Sequence, residues 1–280
     1  MGCLMWMKKG LCFSKHHAQL PTVLPLDGRL RIFYSTKDEK NRSTIRAFEV
    51  DESDPTRIVR DDYLVLGLGQ RGCFDDAGVM PSSVLHTPGG FHLYYTGWNL
   101  RQSVPYSQAI GRVYSRDGEV FERDSDGPIL ERNYFSPYLA NSPVVVRDQE
   151  SNLLRMYYCA GNGWQGDFPT YHISMAFSRD RKVWIPSAAV LVGEPGEAVS
   201  RVTFQGDRMW YGVKRSGSPY LLEYLEDRVR YPYDLRTPGD WDGEMTCYPC
   251  IYKDFMFYNG NGYGATGIGW AEWKNQGLAN

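Results

Sequence analysis

Apolar and polar residues alternate along short stretches of this chain, and helical spacing is almost absent. One phrase recurs: a polar turn, an alternating apolar run, then an aromatic-Tyr-small triplet. It appears as Arg31-Ile32-Phe33-Tyr34-Ser35, His92-Leu93-Tyr94-Tyr95-Thr96 and Arg155-Met156-Tyr157-Tyr158-Cys159. Weaker copies stand at Arg208-Met209-Trp210-Tyr211-Gly212 and Phe255-Met256-Phe257-Tyr258-Asn259. Their tyrosines lie 47 to 63 residues apart, a length that suits a four-stranded unit with its loops. A strand is predicted before each phrase, starting at Pro21, Pro81, Pro143, Val202 and Pro249. Proline is tolerated as the first residue of a strand because its missing N–H costs least there. Tight turns at Asp27-Gly28, Pro88-Gly89-Gly90 and Gln205-Gly206-Asp207 join that strand to the phrase. Further strands follow at Ile110–Tyr114, Ile173–Phe177 and Ile268–Ala271, and a fourth at Val120–Glu122 and Val183–Ile185. Radial repetition of such units predicts an all-β fold, a five-bladed β-propeller with a central axial pocket, as one domain over residues 1–280. A β-sandwich is the alternative, and the regular recurrence argues against it.

Composition narrows the function. The formal net charge of −2, with acids and bases interspersed, points away from nucleic acid and anionic membranes as partners. No run approaches the roughly 20 apolar residues of a membrane span. Lys8 and Lys9 follow the first hydrophobes with no small-residue cleavage site, and Trp6 stands where a myristoylation signal needs Ser or Thr. A soluble cytoplasmic protein is the expectation. The six cysteines are scattered, so free thiols are expected, and Cys247-Tyr248-Pro249-Cys250 lacks the second pair that zinc requires. No metal or other cofactor is called for. Gly67-Leu68-Gly69-Gln70-Arg71-Gly72 fits a dinucleotide fingerprint, but Phe74-Asp75-Asp76 and Pro81 follow instead of a helix. These glycines are expected to turn a loop tightly over the pocket.

In a propeller the innermost strands converge on the axis with their N-terminal ends. Five residues upstream of the aligned strand starts stand His16, Asp76, Tyr138, Glu197 and Glu244. Neighbours add His17, Gln19, Asp75, Asn141, Arg201, Asp242 and Tyr248. Carboxyl groups near strand starts are often plain turn residues, and it is the convergence of several that singles these out. One carboxyl can protonate a leaving oxygen while another activates water or attacks an anomeric carbon. Asp76, Glu244 and Glu197 are therefore the candidate catalytic acids, with His17 as an alternative base. Trp98 and Asn99, Trp164, Lys214 and Arg215, and Asn259 and Asn261 follow the second strands, where aromatic faces and polar groups could bind a sugar. His172 is either a pocket donor or a core histidine.

The Tyr94-Tyr95-Thr96-Gly97 and Phe74-Asp75-Asp76-Ala77-Gly78 phrases resemble the five-bladed propeller glycosidases, glycoside hydrolase families 43, 32, 68, 117 and 130 in the broad sense. The likeness covers nearly the whole chain. It is nearest to an uncharacterised branch found in bacterial surface-polysaccharide gene clusters, through His17-Ala18-Gln19-Leu20-Pro21, Trp241-Asp242-Gly243-Glu244-Met245 and Tyr258–Gly264. The resemblance implies a sugar-like or oligosaccharide substrate and a glycosidase-like activity. Family 43 enzymes take Asp, Asp and Glu from the first three blades; here only the second-blade acid, Asp76, is kept. That departure leaves two alternatives open: recruited non-hydrolytic chemistry (transfer, elimination or cyclisation) in a biosynthetic pathway, and a non-catalytic carbohydrate-binding propeller.

Overall fold

The computed structural model describes residues 4–148, 151 and 153–275. Cys3 and the Met-Gly start lie outside them. The regular structure is nearly all β, in successive antiparallel runs. The N-terminal strand β1 (Leu4–Phe13) precedes a first run of β2 (Gln19–Leu26), β3 (Arg29–Lys37), β4 (Ser43–Asp51) and β5 (Ile58–Leu66). The second run is β6 (Gly78–Thr87), β7 (Gly90–Leu100), β8 (Tyr106–Ser115) and β9 (Glu122–Arg123). The third is β10 (Ala140–Arg147), β11 (Leu154–Gln165), β12 (Phe168–Ser178) and β13 (Ile185–Pro186). In the fourth, β14 (Ala198–Val199) and β15 (Thr203–Gln205) both pair with β16 (Arg208–Lys214), followed by β17 (Leu221–Glu226) and β18 (Val229–Tyr233). The fifth is β19 (Cys247–Tyr252), β20 (Phe255–Asn259) and β21 (Ile268–Asn275), interrupted by the short turn α1 (Asn261–Gly264). Single parallel contacts, Ser43 with Gly78 and Tyr171 with Ala198, link the first run to the second and the third to the fourth, so the pairing forms three sheets.

Strand β1 returns the N-terminal segment to the fifth run by pairing antiparallel with β21. The sequence reading did not foresee it. Gly10, at φ +122°, sits in a register shift that breaks the apolar alternation there.

The buried side chains close the arrangement into a ring. Leu24, Phe33 and Ile45 of the first run pack with Val79, Leu93 and Val113 of the second. Ile110 and Tyr94 pack with Val145, Met156 and Trp184 of the third. Cys159 and Ile173 meet Val202, Met209 and Val213 of the fourth. Trp210 and Leu222 meet Met256 and Ala271 of the fifth, along with Trp6 of β1. Phe257, Ile268 and Trp270 pack against Ile32, Phe48 and Val50 of the first. Cys12, Cys73, Cys159, Cys247 and Cys250 are free thiols. No helix among the described residues is long and apolar enough to cross a membrane.

The repeated tyrosines Tyr34, Tyr95, Tyr158, Tyr211 and Tyr258 are all 0% exposed. A buried phenol needs a partner, since an orphaned one costs about 1–3 kcal/mol. Tyr34 shares a hydrogen bond with His16 Nε2 (2.8 Å) and donates to Asp62 (3.3 Å). Tyr95 donates to Asp75 (2.9 Å), Tyr211 to Glu223 (3.4 Å) and Tyr258 to Asp242 (2.9 Å). Tyr158 pairs with the Ser136 hydroxyl at 2.9 Å. The repeat in the sequence is thus a girdle of phenols, each locked to a polar group outside its own strand.

Opposite these tyrosines the inner strands bulge. Register shifts fall between Gln19 and Thr22, Pro81 and Ser83, Asn141 and Val144, and Cys247 and Cys250. Leu20 (φ 60°), Ser142 (φ 53°) and Tyr248 (φ 53°) take left-handed backbone there, each just before a proline. In the fourth run the strand is broken between β14 and β15, and Arg201 occupies the break. Its guanidinium, 1% exposed, donates to Thr22 Oγ1 (2.8 Å) and to the carbonyls of Pro21 (2.6 Å), Ser82 (3.3 Å), Tyr248 (3.3 Å) and Pro249 (3.4 Å). One buried cation therefore gathers the bulges of three runs, and the paired carbonyls offset its desolvation.

Candidate active site

The bulges form part of the wall of a cavity of about 880 Å³, a size that accepts a small molecule of more than one ring. Leu20, Ser142 and Tyr248, the bulge residues with left-handed backbone, all line it, as do Asn41 and Tyr263, which also have positive φ. Gln19, Asp76, Trp98, Asn99, Asn141, Lys214 and Tyr248, seven of the residues expected from sequence, are brought together here.

Asp76 is the one carboxylic acid among the described lining residues. Its position comes from the glycine loop. Gly72, at φ +91°, donates its N–H to Asp76 Oδ2 at 2.8 Å. Gly69 donates to the Asp75 carbonyl at 3.0 Å, and a Cβ on Gly69 would fall 1.8 Å from Asp75 Oδ1. These glycines therefore seat an acidic pair, and no helix follows them to hold a dinucleotide. The two acids diverge. Asp75, 1% exposed, accepts hydrogen bonds from Tyr95 (2.9 Å) and from Arg123 Nε and Nη2 (3.0 and 2.8 Å). Asp76 faces the cavity.

Aromatic and amide groups surround it. The Trp98 indole N–H is fixed by Ser43 Oγ at 2.8 Å, and its ring meets Tyr106 edge-on with centroids 6.4 Å apart. Trp164 stands behind Tyr106 at 5.4 Å instead of lining the cavity. Asn141 donates to Gln108 Oε1 at 2.8 Å, and Gln19 lies against Met80. Tyr171 and Tyr220 share a hydrogen bond of 2.8 Å, and Tyr248 and Tyr263 pack beside Tyr220. Burial pushes the Tyr106 hydroxyl up to about 12 and those of Tyr171, Tyr220 and Tyr248 up as well, so all four are neutral donors at physiological pH. Tyr106, Gln108, Tyr171, Tyr220, Tyr263 and Lys37 were not anticipated from sequence. Tyr106 and Gln108 sit two apart on β8 and share a face, which is the pattern that could have revealed them.

The remaining expected residues lie elsewhere. His16 and Asp242 belong to the tyrosine girdle, and Asp242 also pairs with Lys8 of β1 at 2.5 Å. Glu197 is held by Arg230 (2.8 Å) and Arg215 (2.9 Å). Burial alone would raise its pKa, but hydrogen bonds from Arg230 and the Glu194 N–H, with the charges of Arg230 and Arg215, bring it below the usual carboxylate value. Glu197 is thus an ionised partner of arginines, outside the lining. Glu244 is exposed, its backbone N–H bonded to Asn261 Oδ1 at 2.9 Å. The same oxygen takes the Met245 N–H at 3.1 Å, so Asn261 clasps the loop before β19. Asn259, 0% exposed, binds the Leu20 N–H and the carbonyls of Ala18 and Gly267. Tyr138 is 45% exposed outside the cavity. His172 is half-buried against Asn162 at 3.3 Å, and burial lowers its pKa. His17 lies outside the lining, and burial, then the charges of Lys37 and His16, lower its pKa. Among the described residues, no three His, Cys, Asp or Glu side chains gather as a metal site.

No family model matches the chain. Two Mycobacterium tuberculosis proteins, uncharacterized protein Rv1502 and uncharacterized protein MT1551, are each 32% identical to it, across 97% of this chain and 100% of theirs. Among solved structures, a glycosyl hydrolase from Bacteroides ovatus is 14% identical with a TM-score of 0.68, covering 96% of this chain and 86% of that one. Zg3597, a family 117 glycoside hydrolase of the marine bacterium Zobellia galactanivorans, is 11% identical with a TM-score of 0.66, over 100% and 96%. A GH130-family structure is 15% identical with a TM-score of 0.65, over 96% and 87%. At these identities the likeness is one of fold.

Proposed function

Because the chain belongs to the family of the Mycobacterium tuberculosis proteins Rv1502 and MT1551 and has the fold of propeller glycoside hydrolases, we propose that it is a glycosidase-like enzyme acting on a sugar or glycosylated small molecule. In this reading the five antiparallel runs are the blades of one five-bladed propeller, and the cavity is its axial pocket. The observation that carries it is Asp76, the one carboxyl among the described lining residues, set among Trp98, Tyr106, Asn99, Gln108 and Asn141. Indole and phenol faces stack on pyranose rings, while amides pair with hydroxyls. Asp76 then delivers a proton to the departing glycosidic oxygen, or takes one from an attacking group.

A second reading draws on the same residue. Hydrolysis by two carboxyls needs a partner within about 5–9.5 Å of the first, and Asp76 has no second acid beside it among the described lining residues. Recruited chemistry that uses a single acid, such as transfer or elimination, fits that set. Turnover of glycosides in ¹⁸O-labelled water separates the two: hydrolysis places solvent oxygen in the product, and transfer or elimination leaves it out. Binding of sugars with no turnover of any glycoside would overturn both enzymatic readings in favour of a carbohydrate-binding propeller.

A further inference from the structure

A second cavity of about 410 Å³ adjoins the first and shares Phe168, Pro169, Ala198 and Lys214 with it. Its walls come from the β11–β12 hairpin at Gln165 and from the loop after β16, Arg215 to Ser218. The acids nearby are already matched: Arg215 reaches Glu197 (2.9 Å) and Glu223 (2.7 Å), and Arg230 reaches both at 2.8 Å. Lys214 is not. Its ammonium lies 4.3 Å from the centre of the Phe168 ring and has no acidic or other hydrogen-bonding partner among the described residues.

The main cavity has the same imbalance. Lys37, Lys40, Arg42 and Lys214 line it against Asp76, the one acid among the described lining residues. Arg42 is taken by Asp38 at 2.8 Å, but Lys37 and Lys40 have no ion-pair partner among the described residues. Lys37 and Lys40 are exposed, and partial desolvation lowers the Lys37 pKa. The chain as a whole carries a net charge of −2, so this cationic space is local and does not follow from composition. Ammonium groups left unpaired beside apolar walls are stabilised when an anion arrives, through charge-assisted hydrogen bonds.

We infer that the glycosyl substrate carries an anionic substituent, a carboxylate, sulfate ester or phosphate ester, which seats against Lys214 where the two cavities meet. The inference rests on the glycosyl reading of the main cavity and specifies its substrate class.

The test is calorimetric titration of the full chain with matched pairs: methyl glucuronide against methyl glucoside, and glucose 6-sulfate and glucose 6-phosphate each against glucose. The expected result is that at least one acidic member binds about tenfold or more tighter than its neutral partner. That ratio should shrink in Lys214→Met, return in Lys214→Arg, and shrink for the unaltered protein in about 0.5 M salt. Equal or tighter binding of every neutral member overturns the inference and leaves the glycosyl reading intact. A preference unchanged by Lys214→Met overturns the placement at Lys214. Binding of no sugar in any pair sinks the glycosyl reading and the inference with it.

Discussion

The tyrosine girdle and the main cavity are built from the same residue types, yet they treat polar groups in opposite ways. In the girdle each phenol is fully buried and each has an acceptor or hydroxyl partner, from Asp62 in the first run to Asp242 in the fifth. In the cavity, Lys37, Lys40 and Lys214 line the walls without counter-ions among the described residues. Polar groups paired inside the protein hold a fold, whereas cations without a protein counter-ion beside a cavity are available to an anionic ligand. Asp75 and Asp76 condense the contrast into two adjacent residues. The first is locked between Tyr95 and Arg123, and the second is held only through Oδ2 by the Gly72 N–H.

If that division is right, substitutions should sort by region. The largest stability loss belongs to Arg201→Met, which leaves carbonyls of three runs without a donor; about 3 kcal/mol or more is expected, read from denaturant midpoints. Asp75→Asn comes next. It removes the charge facing Arg123 and weakens the acceptor for Tyr95, and about 2–3 kcal/mol should be lost, with the part-buried Arg123 guanidinium left without its counter-charge.

A pH-dependent effect follows from His92, 6% exposed and outside the cavity. Burial, then the charges of Arg112 and Arg181, lower its pKa from 6.5 to about 4. The folded protein keeps this ring neutral while the unfolded chain takes a proton near 6.5, so its share of stability is complete above that pH. It is lost as the pH falls toward 4, on the order of 3 kcal/mol in all. His92→Gln should flatten the pH slope of stability across that window. Asp76→Asn should change stability least, within about 0.5 kcal/mol, because the residue is part-exposed and no ion pair is broken. A large loss of stability in that variant would mean that Asp76, like Asp75, holds the fold.

The ring of tyrosines was legible in the sequence because its period is long and its phrase distinctive, and a fully buried position tolerates little else. The direction of each acid was not. Asp75 and Asp76 are adjacent, and which one enters the cavity depends on a loop set by Gly69 and Gly72 rather than on a strand period. Arg201 reads as a pocket cation from its place beside Val202, but the break between β14 and β15 turns it onto the carbonyls of the neighbouring bulges. Glu197 reads as an acid at a strand start, and only tertiary packing brings Arg230 from β18 to neutralise it. Tyr171, Tyr220 and Tyr263 come from different runs, so no local pattern announces that they meet.

In the proposed function, Asp76 is the reactive carboxyl of a glycosyl site. Turnover by Asp76→Asn, on whichever glycoside the unaltered protein cleaves or transfers, tests it most directly. A fall of about a hundredfold to ten-thousandfold with unchanged thermal stability is the predicted result. Turnover within a few-fold of the unaltered protein would contradict this and move the chemistry away from Asp76.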